Sequence, residues 1–291
     1  MYRGRVELVE IKEEEVQTIL KRMKKRRAPG IDEVCADMII AGEEVRVSLK
    51  KRLLNIFVTS IPEDWRAWLI VPTWKGKGDV QDAGKYRGHL LRSHVMKVQE
   101  RILDGTMRKS VEMEIREKQQ GFRKGRGMTD GMFTLRQLVE KRLEVQGEMA
   151  LGFVGLEKAD DTVPREMVMA TLRWMGMAEA EVRLVEGMDK GTKGRVLVGP
   201  GMSEEFNVKI GLRQGSSLSP LMFIMVMELE SRMVSLRGSM GRMLYADDLA
   251  VVVESGWEMQ EVLGEWKEMA LGTKWKKLAR IMHGCKNAWR T

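Results

Sequence analysis

Apolar residues first fall at helical spacing at Val16, Ile19, Leu20 and Met23, in a segment otherwise rich in Glu and Lys. Recurrence every three or four residues predicts an amphipathic helix with one buried stripe. A basic run, residues 24–27, ends it before Ala28-Pro29-Gly30. Such a run suits a helix C-terminus, and it equally suits phosphate contact. Residues 38–57 predict one or two further helices. Residues 65–72 read as a short strand closed by proline, followed by a basic, glycine-bearing turn at 73–79. Residues 121–127 form another such turn. The pattern then predicts amphipathic helix over 132–145, buried strand over 152–156 and helix over 164–175. Residues 221–227 are apolar on all sides, which predicts a central helix. Residues 243–253 place Asp247 and Asp248 between apolar, β-favouring runs, which reads as a hairpin with both acids at or near its turn.

Charge and chemistry change this picture at a few places. The chain has 291 residues, 43% hydrophobic and 32% charged, enough for one large domain or two moderate ones with a real core. Its formal net charge of +8 suits a polyanion such as nucleic acid. The only cysteines are Cys35 and Cys285, without paired spacing, so neither a zinc site nor a disulfide framework is expected, and a reducing compartment is. The charged start carries no signal peptide, no apolar run is long enough to span a bilayer, and an intracellular protein is the expectation. The acid pair is costly at the tip of a buried hairpin unless its charge is compensated. Mg²⁺ prefers hard oxygen ligands and does this well, whereas a solvated Asp-Asp turn needs no ion. The segment Gly211-Leu212-Arg213-Gln214-Gly215-Ser216-Ser217-Leu218-Ser219-Pro220 offers Ser219 as N-cap and Pro220 as first helical residue. Its free N–H groups can cradle phosphate or sugar, or simply start a helix.

Gln214-Gly215 with Leu218-Ser219-Pro220, followed by Tyr245-Ala246-Asp247-Asp248, resembles the reverse transcriptases of non-LTR retrotransposons, the long interspersed elements. The resemblance extends along nearly the whole chain. Ala28-Pro29-Gly30-Ile31-Asp32 is similar to the family's opening fingers motif. Ile61-Pro62-Glu63-Asp64-Trp65-Arg66, Ile70-Val71-Pro72, Tyr86-Arg87-Gly88 and Leu90-Leu91-Arg92-Ser93-His94 are similar to later segments, as are Gln120-Gly121-Phe122-Arg123 and Val163-Pro164-Arg165-Glu166. The fold this implies is α+β, a right hand of fingers and palm. The implied division is fingers over 1–145, palm over 146–270 and a truncated tail over 271–291, with the thumb missing. The implied chemistry is RNA-directed DNA polymerisation with Mg²⁺, or Mn²⁺ in its place. The implied partners are an RNA template, a DNA primer and deoxynucleoside triphosphates, with no membrane. By the same resemblance Asp247 and Asp248 are the catalytic and metal-binding acids, and Gln214 and Gly215 contact the nucleotide. Arg87, with Lys75 or Lys77, neutralises the triphosphate.

The chain departs from the family on one strand. Phe153-Val154-Gly155-Leu156-Glu157-Lys158-Ala159-Asp160-Asp161 has Gly155 in the place of the metal-bridging aspartate. Asp160 takes the aromatic place that packs under the nucleotide sugar. Glycine supplies no side-chain oxygen. Glu157 shares the strand face but lies about 6.6 Å away at ~3.3 Å per residue, and Asp160 and Asp161 lie farther along an extended chain. An acid at 160 also repels a triphosphate. Lys277 is a candidate for the lysine that assists the leaving pyrophosphate. The expectation is therefore a degenerate reverse transcriptase domain, impaired by Gly155 and Asp160. The alternatives are a non-catalytic nucleic-acid-binding remnant and a decayed retroelement product.

Overall fold

A computed structural model describes residues 11–41, 61–156, 159–233, 239–269 and 277–283. The chain divides into two compact units, neither continuous in sequence: residues 1–111 with 172–219, and residues 112–171 with 220–291.

In the first unit the amphipathic pattern at the start becomes the helix Glu13–Lys21. Its three leading glutamates and its final lysine both match the helix dipole. Val16 and Leu20 bury against Val98 and Ile102 of the helix His94–Val111. The basic run 24–27 lies beyond the helix end and is exposed. Part of the helical expectation for 38–57 is met by Ala36–Ile40, and residues 42–57 lie outside the described residues. The strand expected over 65–72 is shifted. A helical turn occupies Glu63–Arg66, and β1 runs Trp68–Trp74, through Pro72. Proline is tolerated because β1 has lost one neighbour by that point. Its pairing with β4 (Lys193–Val198) stops at Ile70, while pairing with β2 (Tyr86–Leu91) continues to Trp74. Short strands β5 (Gly201–Met202) and β6 (Phe206–Asn207) complete this sheet against β4. Two segments of the resemblance meet here. A Cβ on Gly30 would lie 2.6 Å from the backbone of Arg92 and Ser93, so only glycine allows that approach. The His94 ring bonds the Ala28 carbonyl at 3.1 Å.

The second unit is built on an antiparallel sheet in the order β7-β8-β3-β9: Ser239–Tyr245, Asp248–Val253, Ala150–Leu156 and Lys277–His283. The helix Met128–Glu144 covers one face, where Leu135 and Val139 pack with Leu151, Ala250 and Val252. The helix Gly256–Met269 covers the other, and Gly152 leaves room for Met259, whose sulfur lies 2.6 Å from where a Cβ would be. The strand expected to be buried over 152–156 is only partly so. Phe153 is exposed and Gly155 half-buried, because the covered face gives out there. The apolar run 221–227 lies in the helix Ser219–Met233 and is buried throughout, as expected. No helix among the described residues is long and apolar enough to cross a membrane.

Candidate active site

The acids sit where the hairpin expectation puts them. β7 ends at Tyr245, β8 begins at Asp248, and Ala246-Asp247 make the two-residue turn. Ala246 takes φ 56, a left-handed conformation that a side chain disfavours. Surrounding structure holds it there. Gln119 is fully buried, and its Oε1 accepts from the Ala246 N–H at 3.3 Å and the Gly121 N–H at 2.9 Å. Leu244 N–H donates to the Lys118 carbonyl at 2.9 Å, and Gln120 N–H to the Leu244 carbonyl at 2.8 Å. Gly121 lies so close that a Cβ would fall 2.2 Å from the Ala246 nitrogen. Gly121 was legible in a motif, but Gln119 was not. It precedes the matched stretch and looks like one polar residue among many.

Position 155 faces the acids. Gly155 pairs with Asp248 across the β3–β8 ladder, and a Cβ there would lie 3.3 Å from Asp248 Oδ1. A side chain at 155 therefore enters the acid pocket, and glycine leaves that place without an oxygen. An apolar cavity of about 240 Å³ adjoins it, lined by Met128, Met132, Phe153, Tyr245 and Asp248 among others. Asp248 has its carboxyl held above the usual range, first by partial burial and then by Asp247.

Asp160 is nearer than an extended chain allows. The strand ends at Leu156, and a helical turn, Ala159–Thr162, brings Asp160 into the field of Asp247. It keeps solvent access, yet the protein packed beneath it, then Asp247 and Asp161, push its carboxyl up to about 6. Even so, among the described residues no three His, Cys, Asp or Glu side chains form a group able to hold a metal ion. Asp247 and Asp248 offer two carboxylates to a cation, but the described residues do not complete a two-ion cage around them. Glu157 lies outside the described residues, and the side chain of Lys277 does too, although its backbone pairs with Leu156.

The other expected site residues belong to the first unit. Lys75 and Lys77 are exposed in the loop after β1, where Lys75 Nζ donates to the Gly84 carbonyl at 3.1 Å. Arg87 is exposed on β2, opposite Thr73. Gln214 and Gly215 form the exposed tip of a loop held from below. Gly215 takes φ 72, which glycine permits. Ser219 does not act as a plain cap. Its hydroxyl donates to the Arg213 carbonyl at 2.8 Å and closes the loop. Beneath lies a buried ion network. Arg92 pairs both oxygens of Glu100, at 2.5 and 3.1 Å, and Arg213 bridges Glu100 at 3.2 Å and Asp189 at 2.6 Å. Burial pushes Glu100 upward, but the two arginines outweigh it and keep it ionised.

Paired acids at the tip of an antiparallel hairpin, with Gly155 of a third strand opposite Asp248, make up the arrangement that the resemblance led one to expect of a nucleotide polymerase. A family model described as reverse transcriptase (RNA-dependent DNA polymerase) matches residues 75–279, and the chain belongs to that family. It is 27% identical over 267 residues to the "Putative 115 kDa protein in type-1 retrotransposable element R1DM" of Drosophila melanogaster, which bears out the expected likeness to non-LTR elements. That match takes 87% of this chain and a quarter, 25%, of the relative's length. A solved structure of apo telomerase from Candida tropicalis, truncated from its C-terminal domain, shares the fold with a TM-score of 0.58 at 8% identity. The match covers 83% of this chain and 56% of the telomerase chain.

Proposed function

We propose that this chain is a retroelement reverse transcriptase domain that engages nucleic acid and is impaired in nucleotide addition. The observation that carries this is Gly155 paired with Asp248, where a side chain would begin 3.3 Å from Asp248 Oδ1 and glycine offers no oxygen. The β7–β8 sheet serves as palm. Two carboxylates remain for Mg²⁺ or Mn²⁺, which supplies charge neutralisation when bound. A hard ion that prefers near-octahedral oxygen geometry must then fill the missing place with water. Losing an outer-sphere partner of a metal already costs roughly 10–100-fold, so losing a direct ligand costs more. Asp160 adds negative charge beside Asp247. Gln214 and Gly215 contact a deoxynucleoside triphosphate, and Arg87, Lys75 and Lys77 offset its charge. An RNA template and a DNA primer are the partners.

Primer extension on an RNA template tests this with three proteins: the parent, Gly155→Asp and Gly155→Asp/Asp160→Phe. The expected outcome is no extension by the parent and measurable extension by the double variant. Robust extension by the parent overturns the impairment. Nucleic-acid binding without extension in any variant favours the non-catalytic binding reading.

A further inference from the structure

We propose that Gln119 is a positioning residue that holds the acid-bearing turn in its left-handed form; this rests on the reading of Asp247 and Asp248 as the site's acids. The turn needs a holder, because Ala246 sits at φ 56 without the freedom of glycine. Its N–H is buried, and a buried N–H left unpaired costs about 1–3 kcal/mol, so the native turn depends on an acceptor. Gln119 Oε1 is that acceptor, and it also receives the Gly121 N–H. The same oxygen thereby ties the turn to the segment running alongside β7.

That segment is anchored in turn. Arg123, nearly buried, donates to the carbonyls of Arg116 at 3.1 Å and Gln119 at 3.2 Å and pairs with Glu112 at 2.9 Å. Arg116 bonds Glu228 at 2.5 Å and Ser231 at 2.8 Å on the helix Ser219–Met233. Glu228 is buried and also accepts from Arg232 at 2.8 Å. A continuous hydrogen-bonded path thus runs from that central helix to the amide preceding Asp247. The Gln119 amide nitrogen is buried and has no partner among the described residues. The oxygen is thus the end of this side chain that makes contacts, and a methionine of similar length fills the same space without such an acceptor.

Amide hydrogen exchange on the metal-free parent and on Gln119→Met tests the contact directly. The expected result is at least about tenfold faster exchange at Ala246 and Gly121, the two amides that lose their acceptor, with the β8 amides of residues 249–252 unchanged. Gln119→Glu, which keeps an acceptor oxygen, restores slow exchange. Unchanged exchange at Ala246 overturns the proposal, and so does uniform acceleration along β7 and β8, the signature of general destabilisation. A second arm measures Mn²⁺ affinity in Gly155→Asp with and without Gln119→Met. A loss of roughly 10–100-fold supports positioning of the acids, and equal affinity overturns it. Failure of Gly155→Asp itself to bind Mn²⁺ contradicts the metal-site reading, and the exchange arm still decides Gln119.

Discussion

At position 155 a single hydrogen lies opposite Asp248, and the acids around it crowd one another. Asp247 repels the charge on Asp248. Asp160 adds to the crowding, and its proton equilibrium gives a pH test. Its carboxyl sits at about 6 in the folded chain, against about 3.9 when unfolded. Between those values the folded state holds more protons than the unfolded state. Stability from this group is therefore full below about pH 4 and lost as pH rises through about 6. Asp160→Asn is expected to remove that slope and to be more stable than the parent at pH 7.5. Urea melts at pH 4.5 and 7.5 check it, and identical pH profiles for the two proteins contradict it. Glu230 follows the same sign at higher pH. Burial alone pushes it up to about 8, so Glu230→Gln is expected to resist unfolding better than the parent at pH 9 in the same assay.

At the scale of elements, two loops carry the site residues and each is fixed by buried polar groups. The Gln214-Gly215 tip stands on Arg213, which joins Glu100 and Asp189. Arg213→Met leaves two buried carboxylates short of their partner and is expected to cost about 3–5 kcal/mol, read as a shift in the urea midpoint. Gly121→Ala drives a Cβ into the Ala246 backbone and is expected to cost roughly 1–3 kcal/mol. Much of the element level was legible in advance. The first helix follows from its spacing, the helix over 221–227 from a continuous apolar run behind a Ser-Pro start, and the hairpin over 243–253 from two β-favouring runs around the acids. The strand around Pro72 was misplaced because the local rule for proline ignores where a neighbouring strand stops. The position of Asp160 beside Asp247 was not legible because strand geometry does not foresee the helical turn at Ala159–Thr162. The contacts of Gln119 with Ala246 and of Arg213 with Glu100 and Asp189 were invisible because those partners are distant in sequence. Side-chain type does not say which acids and bases meet in a core.

For the whole molecule, the net charge of +8 and the exposed cations of the loop after β1 suit a polyanionic partner. Binding of a primer–template duplex is expected to weaken with salt, log K falling linearly with log salt as counterions are released. A flat plot over roughly 50–200 mM contradicts phosphate contact. The family was legible from ordered motifs spread through the chain, whereas the two units were not, because each gathers two separated stretches. The account turns on the oxygen missing at 155, and a Mn²⁺ titration of parent and Gly155→Asp, followed by the electron-spin signal of the free ion, addresses it most directly. The account predicts that the variant gains affinity by at least roughly 10-fold. Equal affinity in the two proteins contradicts it.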